Sequence, residues 1–307
     1  ECGSYFMARS PRYHLNADLS HVVLLYLEAH SHQVSDEERF QLLELLLEVA
    51  RVWLEIGEWQ DHHTAFRIDE VAGPDDYTGL VEGSFYTHLA VKRQLEETVQ
   101  LVDKMKKSAL WGRKTTSLLE RLDLSDAELN ELKEAADAIV LQRDNRTGVY
   151  FAHDHFDSLR TWDGGEMNFP LYLNYHPLVV YRHKLCEIPE VLLGMLFYPK
   201  GFEPQDFERN LAYYEPLCTH DTPESLAVVA AAHFRAFGDC GKGMPLLDIV
   251  SQIDLDNITY TAEDGLHLSA MTSAWMVLVF GIGGLRIMDG TLNLSPSLPV
   301  GVSSAHF

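Results

Sequence analysis

Positive charge is scarce in this chain. Its 307 residues carry 24 Lys and Arg against 46 Asp and Glu, a formal net charge of −22 with the histidines neutral. Nucleic-acid partners need a basic footprint that displaces phosphate counterions, and the balance here excludes one. The same deficit argues against an anionic membrane surface. Long apolar runs are missing too: stretches such as Val22 to Leu27 and Ala227 to Ala232 fall far short of the roughly 20 residues a spanning helix needs. Cysteine is rare. Cys2, Cys186, Cys218 and Cys240 form no CxxC pair and no zinc-like spacing, which predicts reduced thiols and a cytoplasmic, reducing compartment. Gly281, Gly283 and Gly284 do not make a dinucleotide-binding fingerprint, because no strand precedes them and their period is wrong; they read as a helix end and turn. No basic-then-apolar leader opens the chain, and residues 1–13 read as an irregular N-terminus or the start of a fragment.

What is present is helical. With 46% apolar and 23% charged residues, the composition is that of a soluble globular chain with core enough for one large domain or two ordinary ones. Apolar residues recur at three and four from Asp18 to Glu58, which predicts two helices, the second begun by a capping box of Ser35 and Glu38. Gly57 to Gly83 reads as a long loop. Further helices are predicted over Ser84 to Lys106, Leu118 to Leu122 and Asp126 to Gln142, the last capped by Ser125. Residues 143–170 are irregular and aromatic. Helices resume over Leu178 to Leu185, Glu187 to Phe197, Gln205 to Tyr214, Ser225 to Phe237 and His267 to Phe280, and alternation from Leu285 to Leu298 predicts short strands at the end. Helical pairs joined by long loops stack as a solenoid or close into a ring. Loops this long and this rich in acids, His and aromatics are usually functional, and their residue types suit a sugar site.

Three segments, in order, carry a resemblance. They are Arg67 to Tyr77 (RIDEVAGPDDY), Tyr213 to Asp221 (YYEPLCTHD) and Asp264 to Gly290, which contains DGLHLSA. With weaker matches at His14 to Asp18 and Val149 to Asp163, the set resembles glycoside hydrolase family 65, the maltose, trehalose and kojibiose phosphorylases and their hydrolase relatives. The resemblance implies a mainly α fold, an (α/α)₆ toroid-type barrel over residues 14–282, with a small C-terminal β-sheet beginning at 283. It also implies that the barrel is partial. The family's N-terminal β-sandwich and first barrel segment have no counterpart here, so either another chain, in a homodimer or as a companion, supplies the missing part or the site is incomplete.

For the chemistry, the resemblance implies an inverting attack on an α-glucoside, most simply phosphorolysis of a disaccharide to β-glucose 1-phosphate. Such a reaction needs one protonated carboxyl for the leaving oxygen and a nucleophile on the opposite face; inorganic phosphate needs no activating base, and no cofactor is implied. The acid falls on Asp76, where the family has Glu, about 1.5 Å further out. Read from residue types alone, Asp75 and Asp76 also make a Pro-Asp-Asp turn with helix-capping acids. His220, His267 and Ser269 match the phosphate ligands, the last two at a helix N-terminus that favours anions; helix capping is their plainer reading. Glu215 and Tyr77 match sugar contacts, although Glu215 also reads as a surface residue at a helix end. The family's Lys-Gln-Ala-Asp run is Glu187-Ile188-Pro189-Glu190 here, so a sugar-contacting Lys has become Glu187 and the local charge is reversed. Lys184, about one helical turn earlier, replaces it only if the backbone shifts. A second reading is an inverting α-glucosidase with Glu224 or Glu187 as base, and a third is a non-catalytic sugar-binding part of a larger assembly. His153, Asp154 and His155 do not read as a metal site, and Trp162, Phe169 and Tyr172 read as cleft or barrel-closing aromatics.

Overall fold

A computed structural model describes residues 9–163, 165–238, 241–258, 262–288, 291–299 and 301–304. The chain is mainly helical. Helix α1 spans His14–Ala29 and α2 spans Asp36–Ile56, followed by the short strands β1 (Glu58–Gln60) and β2 (Ala65–Arg67), then α3 (Phe85–Lys107), α4 (Gly112–Arg121) and α5 (Asp126–Ala138). Two single turns, α6 (Leu171–Asn174) and α7 (Pro177–Val180), precede α8 (Glu190–Phe197), α9 (Pro204–Tyr214), α10 (Pro223–Phe237), α11 (Gly243–Gln252) and α12 (Leu268–Met276). A π-helical run over Val277–Ile282 extends α12, and β3 (Arg286–Met288) pairs with β4 (Thr291–Asn293) in an antiparallel hairpin.

Local chemistry starts these helices where the sequence predicts. Ser35 Oγ accepts from Glu38 N at 3.2 Å, and Ser125 Oγ from Glu128 N at 3.2 Å; acids in the first turn of α2 and lysines in the last turn of α3 complement the helix dipoles. Two helices act as hubs. Helix α3 packs against α1, α2, α4, α5 and α8, while α10 packs against α8, α9, α11 and α12. Both earn that place by burying more than one face, with Ala227 to Ala232 of α10 wholly out of water. Helix α1 meets β3, and α1, α3, α8, α10, α12 and β3 together line a cavity of about 1020 Å³, so the helical array curls back on itself.

Several boundaries differ from the periodicity. The expected loop from Gly57 contains the β1–β2 hairpin, with Trp59 opposite Phe66 and Asp61, His62 and His63 at positive φ; three-residue strands are too short to show a period. The helix expected over Asp126 to Gln142 stops at Ala138, because the following residues run out to an Arg143 to Tyr150 bridge. The helix expected over Leu178 to Leu185 shrinks to one turn, since residues 183–186 are drawn into bridges from His183 to Arg160 and from Cys186 to Cys218. Helix α8 begins at Glu190 rather than Glu187, because Pro189 biases the residue before it away from helical geometry. Helix α11 carries no prediction at all. Cys186 and Cys218 are free thiols; Cys2 and Cys240 lie outside the described residues, as do the first eight residues of the expected irregular N-terminus.

Candidate active site

The site grows from the turn at Pro74 to Thr78, closed by Thr78 N donating to Asp75 O at 3.1 Å. The Asp75 side chain is buried and organises two stretches of backbone: its Oδ1 accepts from Tyr77 N at 2.9 Å and from Glu187 N at 3.1 Å. Burial pushes its pKa up to about 7, against these backbone donors, which lower it. Asp76 returns the link, its N donating to Glu187 Oε2 at 3.2 Å. Glu187 reaches it from an extended segment, not a helix. Cys186 N donates to Leu217 O at 2.9 Å and Thr219 N to Cys186 O at 3.0 Å, which lays this segment beside the one carrying His220 and Asp221. The pKa of Glu187 is pushed up to about 8, first by burial and then by the negative charges of Asp75 and Glu224. Glu190 is buried beneath, raised well above the carboxylate range by burial and by Asp75. A Cβ on residue 73 would meet its Oε2, so a side chain there requires the Glu190 carboxyl to shift.

Around this centre, Tyr77 donates its hydroxyl to Asp221 Oδ2, which also accepts from Leu171 N at 2.7 Å. The Asp76 carboxylate is occupied from outside: Arg9 Nε and Nη2 reach Oδ2 at 2.8 and 2.6 Å, and Arg12 Nη2 bonds Oδ1. In this arrangement both oxygens accept, and neither donates. His220 sits at φ 57°, in the left-handed region unusual for a side-chain-bearing residue, with Nδ1 3.0 Å from Ser225 Oγ. Burial lowers its pKa, so the ring is neutral at pH 7.

Of the remaining expected residues, Glu224 is near enough for its charge to act on Glu187, and the others lie elsewhere. Glu215 meets the His233 ring at 2.9 Å and Lys242 at 3.6 Å, and these three line a separate cavity of about 430 Å³ with Leu211, Ala212 and Phe237. Nine residues separate Glu224 from His233, about half a turn of rotation on α10, so Glu224 faces the opposite way. It is the one expected site residue on the wall of the 1020 Å³ cavity. His267 caps α12, held by Asp254 through its ring at 2.5 Å and its backbone N at 2.8 Å. Ser269 stands half-buried in the first turn of α12. Lys184 pairs with Asp157 at 2.8 Å and does not take the place of the absent lysine. Asp154 binds Arg67 at 2.6 Å, and Trp162 packs on Tyr175 and His183. Among the described residues no three His, Cys, Asp or Glu side chains are placed to hold a metal ion, and no helix is long and apolar enough to cross a membrane.

The model of the glycosyl hydrolase family 65 central catalytic domain matches residues 4–276. The chain belongs to glycosyl hydrolase family 65. Among family relatives, the α,α-trehalose phosphorylase of Geobacillus stearothermophilus is 31% identical over all of this chain and 40% of its own length. That of Thermoanaerobacter brockii is 32% identical over 97% of the chain and 38% of its length. A solved human-microbiome structure described as a kojibiose phosphorylase shares the fold, with TM-score 0.78 and 23% identity over 92% of this chain and 38% of that one. The chain thus spans about two fifths of the length of the curated relatives it matches.

Sequence reasoning missed Arg9, Arg12 and the organising role of Asp75. Two arginines within four residues of so acidic a chain were the available signal for the first pair. The Pro-Asp-Asp pattern marks the turn at Asp75 but not its reach, because the Glu187 donor arrives from more than a hundred residues away.

Proposed function

We propose that this site belongs to an inverting phosphorylase of an α-linked glucose disaccharide, releasing β-glucose 1-phosphate, with Asp76 as general acid and inorganic phosphate as nucleophile. The reading is supported by Asp76, which the motif aligns with the family's acid, donating its backbone N–H to Glu187 and lying next to Tyr77, which is bound to Asp221. His220, His267 and Ser269 act as phosphate ligands in this reading, and Tyr77 and Glu187 as sugar contacts. Glu215 joins them only by leaving His233. A companion segment that completes the ring would cover the apolar side chains exposed on α1 (Leu15, Leu19, Val22) and on α12 (Leu268, Met271, Trp275). The test is disaccharide breakdown with and without phosphate, in this chain alone and together with a companion segment that completes the ring. Acceleration by phosphate supports the reading; equal rates overturn it.

Hydrolysis is the second reading, and Glu224 on the cavity wall supports it. Glu187 is the less available base, because a carboxyl with pKa pushed up to about 8 is mostly protonated at neutral pH. Free β-glucose released without phosphate, and lost in Glu224→Gln, identifies this reaction.

A further inference from the structure

We propose that Arg9 and Arg12 form a phosphate-binding pair beside Asp76, taking inorganic phosphate or the phosphate ester of a sugar in exchange for the Asp76 carboxylate. The proposal rests on the phosphorylase reading for the role of Asp76, and because the nucleophile enters from the face opposite the acid, the pair stands on the leaving-group side and is a second anion site, distinct from that of the attacking phosphate.

A chain of net charge −22 must meet any phosphate group with local cations. The residues expected to do so bring little charge: His220 is neutral and bonded to Ser225, Ser269 is a hydroxyl, and the ring of His267 is matched by Asp254. The guanidinium groups are at the acid instead. Arg9 turns two donors on one carboxylate oxygen of Asp76 and Arg12 turns one on the other. Phosphate oxygens are strong acceptors for guanidinium N–H groups, as carboxylate oxygens are. The backbone between the two arginines is tied to the turn, because Ala72 N donates to Pro11 O at 3.1 Å, so the pair is already arranged. It is also reachable, with the side chains of Arg9 and Arg12 at 60% and 24% exposure. Of the nearby carboxyls, Asp75 and Glu187 are raised to about 7 and about 8 and cancel only part of the pair's charge at neutral pH. Asp221 and Glu224 supply the opposing field that Glu187 feels.

The exchange has a consequence for the chemistry. Asp76 cannot donate while both its oxygens accept from arginine. A phosphate group that takes over the two guanidiniums releases the carboxylate to pick up a proton from solvent, so arrival of the anion and readiness of the acid become one event.

The experiment is binding of inorganic phosphate, and separately of glucose 6-phosphate, to the full chain at low salt by calorimetry and phosphorus NMR. Thermal melts verify that each variant is folded. The double variant Arg9→Gln/Arg12→Gln is expected to bind about tenfold or more weakly, and Asp76→Asn, which keeps the shape but removes the competing charge, about tenfold more tightly. Tighter binding of glucose 6-phosphate points to an ester as the source, tighter binding of inorganic phosphate to the free anion, and either supports the pair. Unchanged affinity in the arginine variant, weaker binding in Asp76→Asn, or no binding of either probe overturns it. Since none of these readouts needs turnover, the expected binding pattern together with disaccharide breakdown that does not respond to phosphate sinks the phosphorylase reading and leaves the pair standing.

Discussion

The turn at Asp75 to Tyr77 and the start of α12 were both expected to carry site chemistry, and they are built in opposite ways. The turn gathers Arg9, Arg12, Leu171, Glu187 and Asp221, residues from distant parts of the chain, and buries the carboxyls it joins. The start of α12 is local and open: His267 is held by Asp254, thirteen residues earlier, and Leu266 and Leu268 on either side are exposed. The difference shows in protonation. Burial shifts Asp75 and Glu187 toward their neutral forms, whereas Asp254, bonded first by the His267 side chain, is shifted toward its ionised form. A buried site therefore sets its proton inventory by fold, and an exposed one by its immediate partner.

The sharpest way to break this contrast is at the acid. Asp76→Asn is expected to lower the phosphorolysis rate by about 10² to 10⁴-fold, while Glu187→Gln costs about tenfold if Glu187 only positions the Asp76 backbone. Steady-state kinetics of both decides, and a larger loss in Glu187→Gln moves the acid to Glu187.

Next is the organiser. Asp75→Ala leaves the buried N–H groups of Tyr77 and Glu187 without their acceptor and is expected to cost about 2 to 4 kcal/mol in urea denaturation. An exposed turn residue would cost far less.

The pH dependence follows. Glu187 holds its proton in the folded state up to about pH 8, while the unfolded chain loses it near 4.5. Between those values the folded state binds more protons, so stability falls as pH rises. The urea midpoint is expected to decline from pH 6 to pH 9, and to decline less in Glu187→Gln; a flat wild-type profile refutes the raised pKa.

The smallest effects belong to α12. His267→Ala is expected to raise the phosphate KM about tenfold with little change in melting temperature. Ser269→Ala should stay within about 0.5 kcal/mol of wild-type stability. A stability loss at either position comparable to that of Asp75→Ala would erase the distinction between the two regions.

Much of the fold was legible locally. Ser35 and Ser125 cap as their spacing predicts, and the buried stripe of α2 follows its apolar period. The failures have a common cause. The helix expected from Glu187 does not start there because backbone pairing with Leu217 and Thr219, thirty residues on, competes with it and Pro189 tips the balance. Glu215 was legible as a motif residue, but its side chain goes to His233, a partner that no spacing rule names. Asp76 was singled out by its motif, while the arginines that occupy it were not, because a pair of cations in an irregular segment looks ordinary until a carboxylate is placed between them.

By itself the sequence determined the mainly helical class, the negative field that restricts anionic partners, and the ordered motifs that place the chain in its family, since each of these is carried by composition or by residues within a few turns of one another. Only the tertiary structure decided which carboxyls share a neighbourhood, which of them keep their protons, and which cations reach them. Those are properties of burial and of distance between remote segments, and the same Asp or Glu takes a different state in water than between Asp75, Glu187 and Arg12.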